Sequence, residues 1–529
     1  MTDEVAVAPA DVGEVPGARA IRRYTAQAGN ARGGASLGTV LSDVYYAVIS
    51  VALSVLFALG AVRSLRLDVH PSAAVETTWT LELSTVVAVV LGAGAGALLS
   101  VAGRLGPVAS GGAEAAWWLG LPVDRRGLLR PASLRPPLLA AAVGGVVLAV
   151  LDAGLLGAPG GTVLRVALAG ALLAAAVVLA AALAQSAGAA RRSLALAGDL
   201  VALAAAATAL VLLVLDVEVP APSPPWVLVV ALAVGVAALG ALVDRRLGDV
   251  PARSLRESGS VAAQAVGAVV SFDSRELGRA LTDGALPAAR RRASRLRTVR
   301  GPATALVTAD LVVLRRSTRH LVQLVVAALV PAAVVLVPQL AGPPGVLLAL
   351  LLAGYAAASA TGEGARRAEM APVLDRLLPL DARTVRRLRM VVPGAVMLLW
   401  SLAAFAAVGV WAGRPVGWLA LAVASAPVWA AAAVRAAYRS APDWSGPLVS
   451  TPAGALPGGV AAVLARGPDV VVLGLLPVWI AVLVGRTGPV LLGAQLLFSV
   501  VAVLVASSTE TRPLMERVLD AQETPEPRR

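Results

Sequence analysis

Residues 162–186 read TVLRVALAGALLAAAVVLAAALAQS, an apolar run with a single charge, Arg165. A helix needs about 20 consecutive apolar residues to cross the hydrocarbon core of a bilayer. Similar runs recur along the whole chain, which has 529 residues, of which 58% are hydrophobic and only 15% charged. Soluble proteins carry about 25% charged residues. The composition therefore predicts an all-α, polytopic membrane protein.

The apolar runs predict about twelve transmembrane helices in two sets of six. The first set lies near 43–63, 81–103, 137–157, 162–186, 194–215 and 225–243. The second set lies near 320–340, 344–361, 391–412, 415–437, 469–485 and 488–508. The polar stretch 244–319 separates the two sets.

Every basic residue is an arginine, and there are 45 of them. With twelve spans, the arginine clusters all fall on one side of the membrane, whereas the loops of the other side are short or nearly uncharged. Basic loops face the cytosol, so we expect both termini there. The net charge of +13 is then a topological feature and does not indicate nucleic-acid binding.

These spans and loops divide the chain into five parts. We expect a cytosolic N-terminal tail at 1–36, a first six-span half at 37–243 and a cytosolic linker at 244–300. A second six-span half, 301–508, begins with an interfacial helix, and a cytosolic C-terminal tail follows at 509–529.

Two related basic stretches follow the second span of each half. The first loop, 117–131, contains LGLPVDRRGLLRP, and the second loop, 375–389, reads DRLLPLDARTVRRLR. Both contain Pro-x-Asp-x-Arg, and a weaker similarity joins LAGDLVAL around Asp199 to RGPDVVVL around Asp469. We interpret these as a tandem 6+6 pseudo-two-fold repeat, a known plan of transporters; chance similarity between alanine-rich segments is the alternative.

Each loop contains a proline that interrupts a helix and an aspartate placed to cap the next one. We predict that each forms a rigid elbow between two spans and docks a cytosolic partner that is itself two-fold. The alternative is an ordinary basic loop that only fixes topology. The residues assigned to this role are Pro122, Asp124, Arg125, Arg126 and Arg130 in the first loop, and Pro379, Asp381, Arg383 and Arg386 in the second.

The two loops resemble the cytosolic loop after the second span in the transmembrane subunits of type-2 ABC exporters. The stretch ALVTADLVVLRRSTRHLVQLVVAALVPAAVV, at the start of the second half, is similar to the interfacial helix and first span of those subunits. The resemblance implies two fused permease subunits that dock a separate cytosolic ABC ATPase, in two copies, which binds the ATP. The chain also resembles uncharacterised membrane proteins of high-G+C bacteria, which implies a bacterial cytoplasmic membrane.

The residue types that are missing exclude several kinds of site. Without lysine the chain cannot form a P-loop, whose lysine contacts the nucleotide phosphates. Without cysteine it has no disulfide or thiolate site, and its two histidines exclude a multi-histidine metal site. We therefore expect no metal, no cofactor in this chain and no enzymatic activity. Membrane lipids are expected partners, and the arginines at 290–300 either bind anionic headgroups or form a solvated face of the linker.

Three aspartates in or near spans offer a second hypothesis. A carboxylate inside the membrane is costly and by default marks a functional site, so Asp152 predicts either an ion-coupled secondary transporter or a buried, hydrogen-bonded structural residue. Arg165 is a possible ion-pair partner for it. Asp199 and Asp469 are interpreted as acids that cap the starts of their helices. A non-transporting membrane scaffold is the third alternative.

Small residues in LGAGAGALLS (91–100) and AVGGVV (142–147) lie on the faces of two spans. Small residues let helix backbones approach closely in membranes. These two segments therefore predict close helix packing.

Overall fold

A computed structural model describes residues 16–33, 56, 59–60, 81–270, 278, 280–281, 299–338, 340–371, 373, 375, 377–438, 448–451, 454–457 and 467–508. Within these residues, ten helices are long and apolar enough to cross a membrane. Most of the predicted span 43–63, the C-terminal tail 509–529 and most of the arginine run at 290–300 lie outside the described residues.

The described residues form two compact units. The first unit holds the residues from 16 to 281 except Leu81, and the second holds Leu81 and the residues from 299 onwards. The division falls inside the predicted linker 244–300. The first part of that linker is helical and packs on the first unit, where Gly259 lies directly against the carbonyl group of Ser110.

The described residues of the first unit form eight α-helices, one π-helix and one 3₁₀ turn. The helices are α1 (Ala18–Gly33), α2 (Leu83–Leu105), α3 (Gly112–Trp117), α4 (Arg125–Leu151), α5 (Gly160–Ser186), α6 (Arg191–Leu215), α7 (Trp226–Arg246) and α8 (Ala252–Val270). A π-helix, Asp152–Leu156, continues α4, and a 3₁₀ turn, Leu247–Asp249, follows α7.

The second unit contains ten further helices and one short hairpin. The helices are α9 (Pro302–Arg316), α10 (Thr318–Leu336), α11 (Pro343–Thr361), α12 (Glu363–Met370), α13 (Ala382–Leu388), α14 (Val391–Trp411), α15 (Pro415–Ala437), α16 (Pro468–Gly474), α17 (Leu476–Val484) and α18 (Pro489–Ser507). Strands β1 (Leu448–Thr451) and β2 (Gly454–Pro457) pair antiparallel.

Small residues bring the helices of the first unit together, as the two small-residue segments predict. Helix α2 packs on α6, where Gly96 lies against the backbone of Ala202 and Gly198 against the backbone of Ser100. Helix α4 packs on α5 in the same way, since Gly144 lies beside Gly170. The prediction of close helix packing is thus confirmed.

Aromatic side chains fill the core of the second unit, around helix α15. Trp429 meets Trp400 edge to face with ring centroids 5.7 Å apart, and Trp418 packs at 6.3 Å against Phe405. Such pairs add roughly 0.5–1.5 kcal/mol beyond their burial.

The predicted span 469–485 is not one helix, because the chain breaks at Leu475 into α16 and α17. Pro477 lies in the first turn of α17, where its missing N–H costs no helical hydrogen bond. Carbonyl groups near the break take side-chain donors instead. The Trp479 indole donates to the Val472 carbonyl at 3.1 Å, and the Gln495 amide donates to that of Gly474 at 3.0 Å. Such replacements are what allow broken helices at membrane depth.

Candidate functional site

The first loop begins a continuous helix and does not form a separate elbow. Asp124 caps α4, since its carboxylate accepts the Arg126 N–H at 3.0 Å. The prediction of a short helix before a span starting at 137 is wrong, because α4 runs from Arg125 to Leu151 with three prolines inside it. Leu129 is buried in a cluster with Val243 and Leu247, and this packing holds the start of α4 in place.

One carboxylate holds two of the predicted loop arginines. Asp244, in the last turn of α7, accepts from Arg126 Nη2 at 2.5 Å and from Arg130 Nε and Nη2 at 2.6 Å each. The pairing is partly exposed, with the Asp244 side chain 22% exposed. Pro122 and Asp124 are exposed at the surface. Among the described residues, Arg125 makes no ion pair.

The second loop is capped in the same manner. Asp381 precedes α13, and its carboxylate accepts the Thr384 N–H at 3.0 Å. Hydrogen bonds from Thr384 hold the pKa of Asp381 below its ordinary value. Pro379, Asp381 and Arg383 are exposed. Only two residues separate the end of α13 from the start of α14, so the capped segment again leads directly into a span.

Arg386, on α13, is anchored inside the second unit. Its guanidinium lies 4.9 Å from the centre of the Tyr438 ring and donates to the carbonyl group of Ser508, the residue that follows α18. In both loops, arginines are therefore attached to the end of the helix that matches the sixth predicted span, α7 in the first unit and α18 in the second.

An ionic cluster joins the first and last residues of the second loop, Asp375 and Arg389, to Asp310. The sequence-based assignment does not include it. Arg389 Nη1 contacts Asp310 Oδ1 at 2.5 Å, and its Nη2 contacts Asp375 Oδ1 at 2.9 Å. Burial raises the pKa of Asp310 to about 6, although the Arg389 guanidinium opposes the rise. Burial likewise raises the pKa of Tyr438 to about 12. The cluster ties α9 to the end of the second loop.

Asp199 does not cap a helix, contrary to the sequence-based interpretation. Helix α6 begins at Arg191, so Asp199 lies two turns inside it. There its carboxylate accepts from Ser100 Oγ at 2.6 Å and from Arg104 Nη2 at 2.7 Å. Both charged side chains are 8% exposed. The aspartate therefore joins α6 to the end of α2.

Asp469 does lie at a helix start, as predicted. Its carboxylate accepts the N–H groups of Gly467 at 2.7 Å and Val470 at 2.8 Å in the first turn of α16. It also pairs with Arg435 at 2.8 Å. Asp199 and Asp469 thus have different partners, despite their similar flanking sequences.

Asp152 is the first residue of the π-helix and is 2% exposed. Its Oδ2 has no hydrogen-bond partner among the described residues. Arg165, for which the sequence favours outward snorkelling with a pair to Asp152 as the alternative, does not pair with Asp152. Its side chain bonds to the Gly161 carbonyl and the Thr162 hydroxyl at 3.2 Å each. π-Helices occur frequently at functional sites.

Metal ligands do not gather in the part of the chain that the structure describes, where no group of three or more histidine or acidic side chains could hold an ion.

Comparison with known proteins gives one family match. A family of unknown function, DUF6297, matches residues 74–447, which is more than half of the chain. The match takes in both loops, Asp152 and Asp199, but not Asp469. No curated protein and no solved structure matches the chain.

Proposed function

The chain belongs to DUF6297, a family of unknown function, and we propose that it is the membrane permease of an ABC-type exporter. It carries both six-span halves in one chain, and a separate cytosolic ABC ATPase docks on the two loops and supplies the energy from ATP. The observation that carries this proposal is the duplicated loop. In each unit, an exposed Pro-x-Asp-x-Arg segment caps a basic helix that leads into a span.

The packing within each unit supports a duplicated plan. In the first unit α4 packs on α5, and α5 on α7. In the second unit α14 packs on α15, and α15 on α18. These are the same span numbers in the two predicted halves, the third on the fourth and the fourth on the sixth.

The helix that precedes the first span of each predicted half also occupies the same place. Helix α1 packs on the start of α4, where Ala18 lies beside Gly127. Helix α9 packs on α13. Each loop is therefore supported by an equivalent helix of its own unit.

The arginine anchors give each loop a mechanical connection to its unit. Arg126 and Arg130 hold Asp244 at the end of α7, and Arg386 holds Ser508 at the end of α18. A displacement of a docked loop is transmitted through these bonds to α7 in the first unit and to α18 in the second. Rigid-body movements of this kind are typical of bistable packed helices.

Purification of the tagged chain from its native host in mild detergent tests the proposal. We expect an ABC ATPase to co-purify at two copies per chain, and to be lost when Asp124→Arg and Asp381→Arg are combined. Glu218→Arg, an exposed acid between α6 and α7, is the control and should retain the ATPase. Absence of any ATPase under several gentle conditions would refute the proposal.

Asp152 favours a second candidate function, an ion-coupled secondary transporter. A buried carboxylate with one unpartnered oxygen, placed in a π-helix, fits a site that binds a proton or a sodium ion. This alternative predicts flux that follows an ion gradient, needs no ATPase and fails in Asp152→Asn. Partner binding without any flux would favour the scaffold.

A further inference from the structure

We propose that the second loop is the electrostatic docking site of the chain and binds an acidic surface of the ATPase, whereas the matching arginine pair of the first loop already holds a carboxylate of the chain itself. The proposal rests on the permease function above, because it assigns the docking chemistry of the same loops.

The two loops carry an arginine pair at matching positions. Arg126 and Arg130 follow the first Pro-x-Asp, and Arg383 and Arg387 occupy the same places after the second. Residues four apart lie on one face of a helix, with about 5–6 Å between their Cβ atoms. Each pair therefore presents two guanidinium groups side by side.

In the first loop this pair is occupied. Asp244 accepts hydrogen bonds from both arginines at 2.5–2.6 Å. This carboxylate thus offsets one of the two positive charges that the pair would present to a partner. The arrangement also demonstrates that an arginine pair with this spacing holds a single carboxylate.

The pair in the second loop, Arg383 and Arg387, is exposed and makes no ion pair with the residues that the structure describes. The other side of α13 packs against neighbouring helices of its unit, since Val385 is buried and Arg386 is held by Tyr438 and Ser508. Helix α18 and its C-cap residue Ser508 contain no acidic side chain that could act as Asp244 does in the first unit.

A protein carboxylate is the ligand that this geometry favours. Guanidinium groups bind carboxylates through two parallel hydrogen bonds. Val373 and Leu377 precede the pair in the sequence and are exposed, so they offer apolar contact area of the kind found in protein interfaces.

The experiment measures how much ATPase stays on the purified full chain as the salt concentration rises. Arg383→Glu with Arg387→Glu reverses the charge of the exposed pair, and the matched lysine variant keeps it. Arg125→Glu is the first-loop comparison, because Arg125 is the cation there that Asp244 does not hold. Arg414→Glu, which reverses an exposed arginine outside both loops, is the control. Size-exclusion profiles establish that each variant is folded, and anionic lipid is quantified in every sample.

We expect the glutamate variant to retain roughly tenfold less ATPase than the parent, since truncating a charge pair at an interface is costly. The lysine variant should retain an intermediate amount that falls faster with salt. Arg125→Glu should lose less ATPase than the glutamate pair, and Arg414→Glu should behave as the parent. Equal losses from Arg125→Glu and the glutamate pair would overturn the second-loop assignment and leave the permease function standing. Unchanged ATPase with a charge-dependent loss of anionic lipid would assign the pair to headgroups instead. No ATPase on the parent would refute both proposals.

Discussion

Arg104 and Asp199 form a buried ion pair, with 2.7 Å between Nη2 and Oδ2, that joins the end of α2 to α6. Ser100 donates a second hydrogen bond to the same carboxylate, at 2.6 Å. Arg191, the first residue of α6, donates to the carbonyl group of Arg104. These bonds fix the two helices to each other beside their glycine contact.

Removing one member of this pair should destabilise the first unit strongly. Asp199→Leu or Arg104→Leu leaves an uncompensated buried charge, which costs about 3–5 kcal/mol. The double variant should cost less than the sum of the two single variants, because no charge is left buried. Unfolding in detergent provides the measurement, with the exposed Asp216→Asn at the end of α6 as the control. Additive single effects would show that the two side chains are not coupled.

Gly96 should tolerate no side chain, whereas Gly94 on the same helix should. A Cβ at Gly96 would meet the backbone of Ala202, and one at Gly94 meets nothing within 4 Å. Gly96→Ala should therefore cost about 1–3 kcal/mol through overpacking. Gly94→Ala should leave the stability unchanged or raise it by up to about 1 kcal/mol through helix propensity. Equal midpoints of thermal unfolding for the two variants would contradict the α2–α6 packing.

The clamp at Asp244 should govern the mobility of the first loop more than the stability of the unit. Partly exposed ion pairs are typically worth up to about 1 kcal/mol, so Asp244→Asn should barely change the unfolding midpoint. Tryptic cleavage after Arg125 and Arg126 should accelerate, because the start of α4 opens more often.

High salt should bring the cleavage rate of the parent towards that of Asp244→Asn, since exposed charges are screened. Glu257→Gln, which removes the exposed pair with Arg253, is the control and should leave cleavage in the first loop unchanged. If Asp244→Asn is cleaved at the rate of the parent in low salt, the clamp does not hold the loop.

The buried Asp310 should make the second unit less stable as pH rises. Its folded pKa of about 6 exceeds the ordinary value of 3.8, so the folded state binds the proton more tightly than the unfolded state. The stability contribution is complete below pH of about 4, falls as pH rises through about 6, and is on the order of 3 kcal/mol.

Unfolding midpoints measured across this pH range test the assignment to Asp310. Asp310→Asn should flatten the profile between about pH 4 and 6. Asp381→Asn should not, because the lowered pKa of Asp381 places its effect at lower pH. A profile for Asp310→Asn that matches the parent would assign the pH dependence to another group.

Local sequence patterns were sufficient for the long helices and for the helix caps. The apolar run 162–186 coincides with most of α5, Gly160–Ser186. Asp124 and Asp381 precede basic helices, as their spacing predicts. These features depend on neighbours within one turn of the chain, which the sequence displays directly.

Proline was a less certain guide to helix breaks. Pro131, Pro136 and Pro137 lie inside α4 without ending it, whereas the chain breaks at Leu475, before Pro477. Packing decides between these outcomes. Buried Leu128 and Leu129 hold α4 together, and side-chain donors satisfy carbonyl groups around the break.

The ion pairs could not be predicted, because their partners are distant in sequence. Arg389 reaches Asp310 and Arg104 reaches Asp199 only after the helices have packed. In the sequence these arginines lie among other arginines whose clusters set the membrane topology, so nothing distinguishes them. The sequence likewise places Asp244 in the linker. Its position opposite Arg126 follows from the contact between α4 and α7.

The most direct test of the permease account is the mass of the intact complex, measured by native mass spectrometry on the chain purified from its own host membrane. The account predicts the chain together with two copies of an ABC ATPase, and loss of both copies when the two loop aspartates are replaced by arginine. A spectrum containing the chain without any ATP-hydrolysing partner, from a preparation that still moves substrate, would contradict it and turn attention to Asp152.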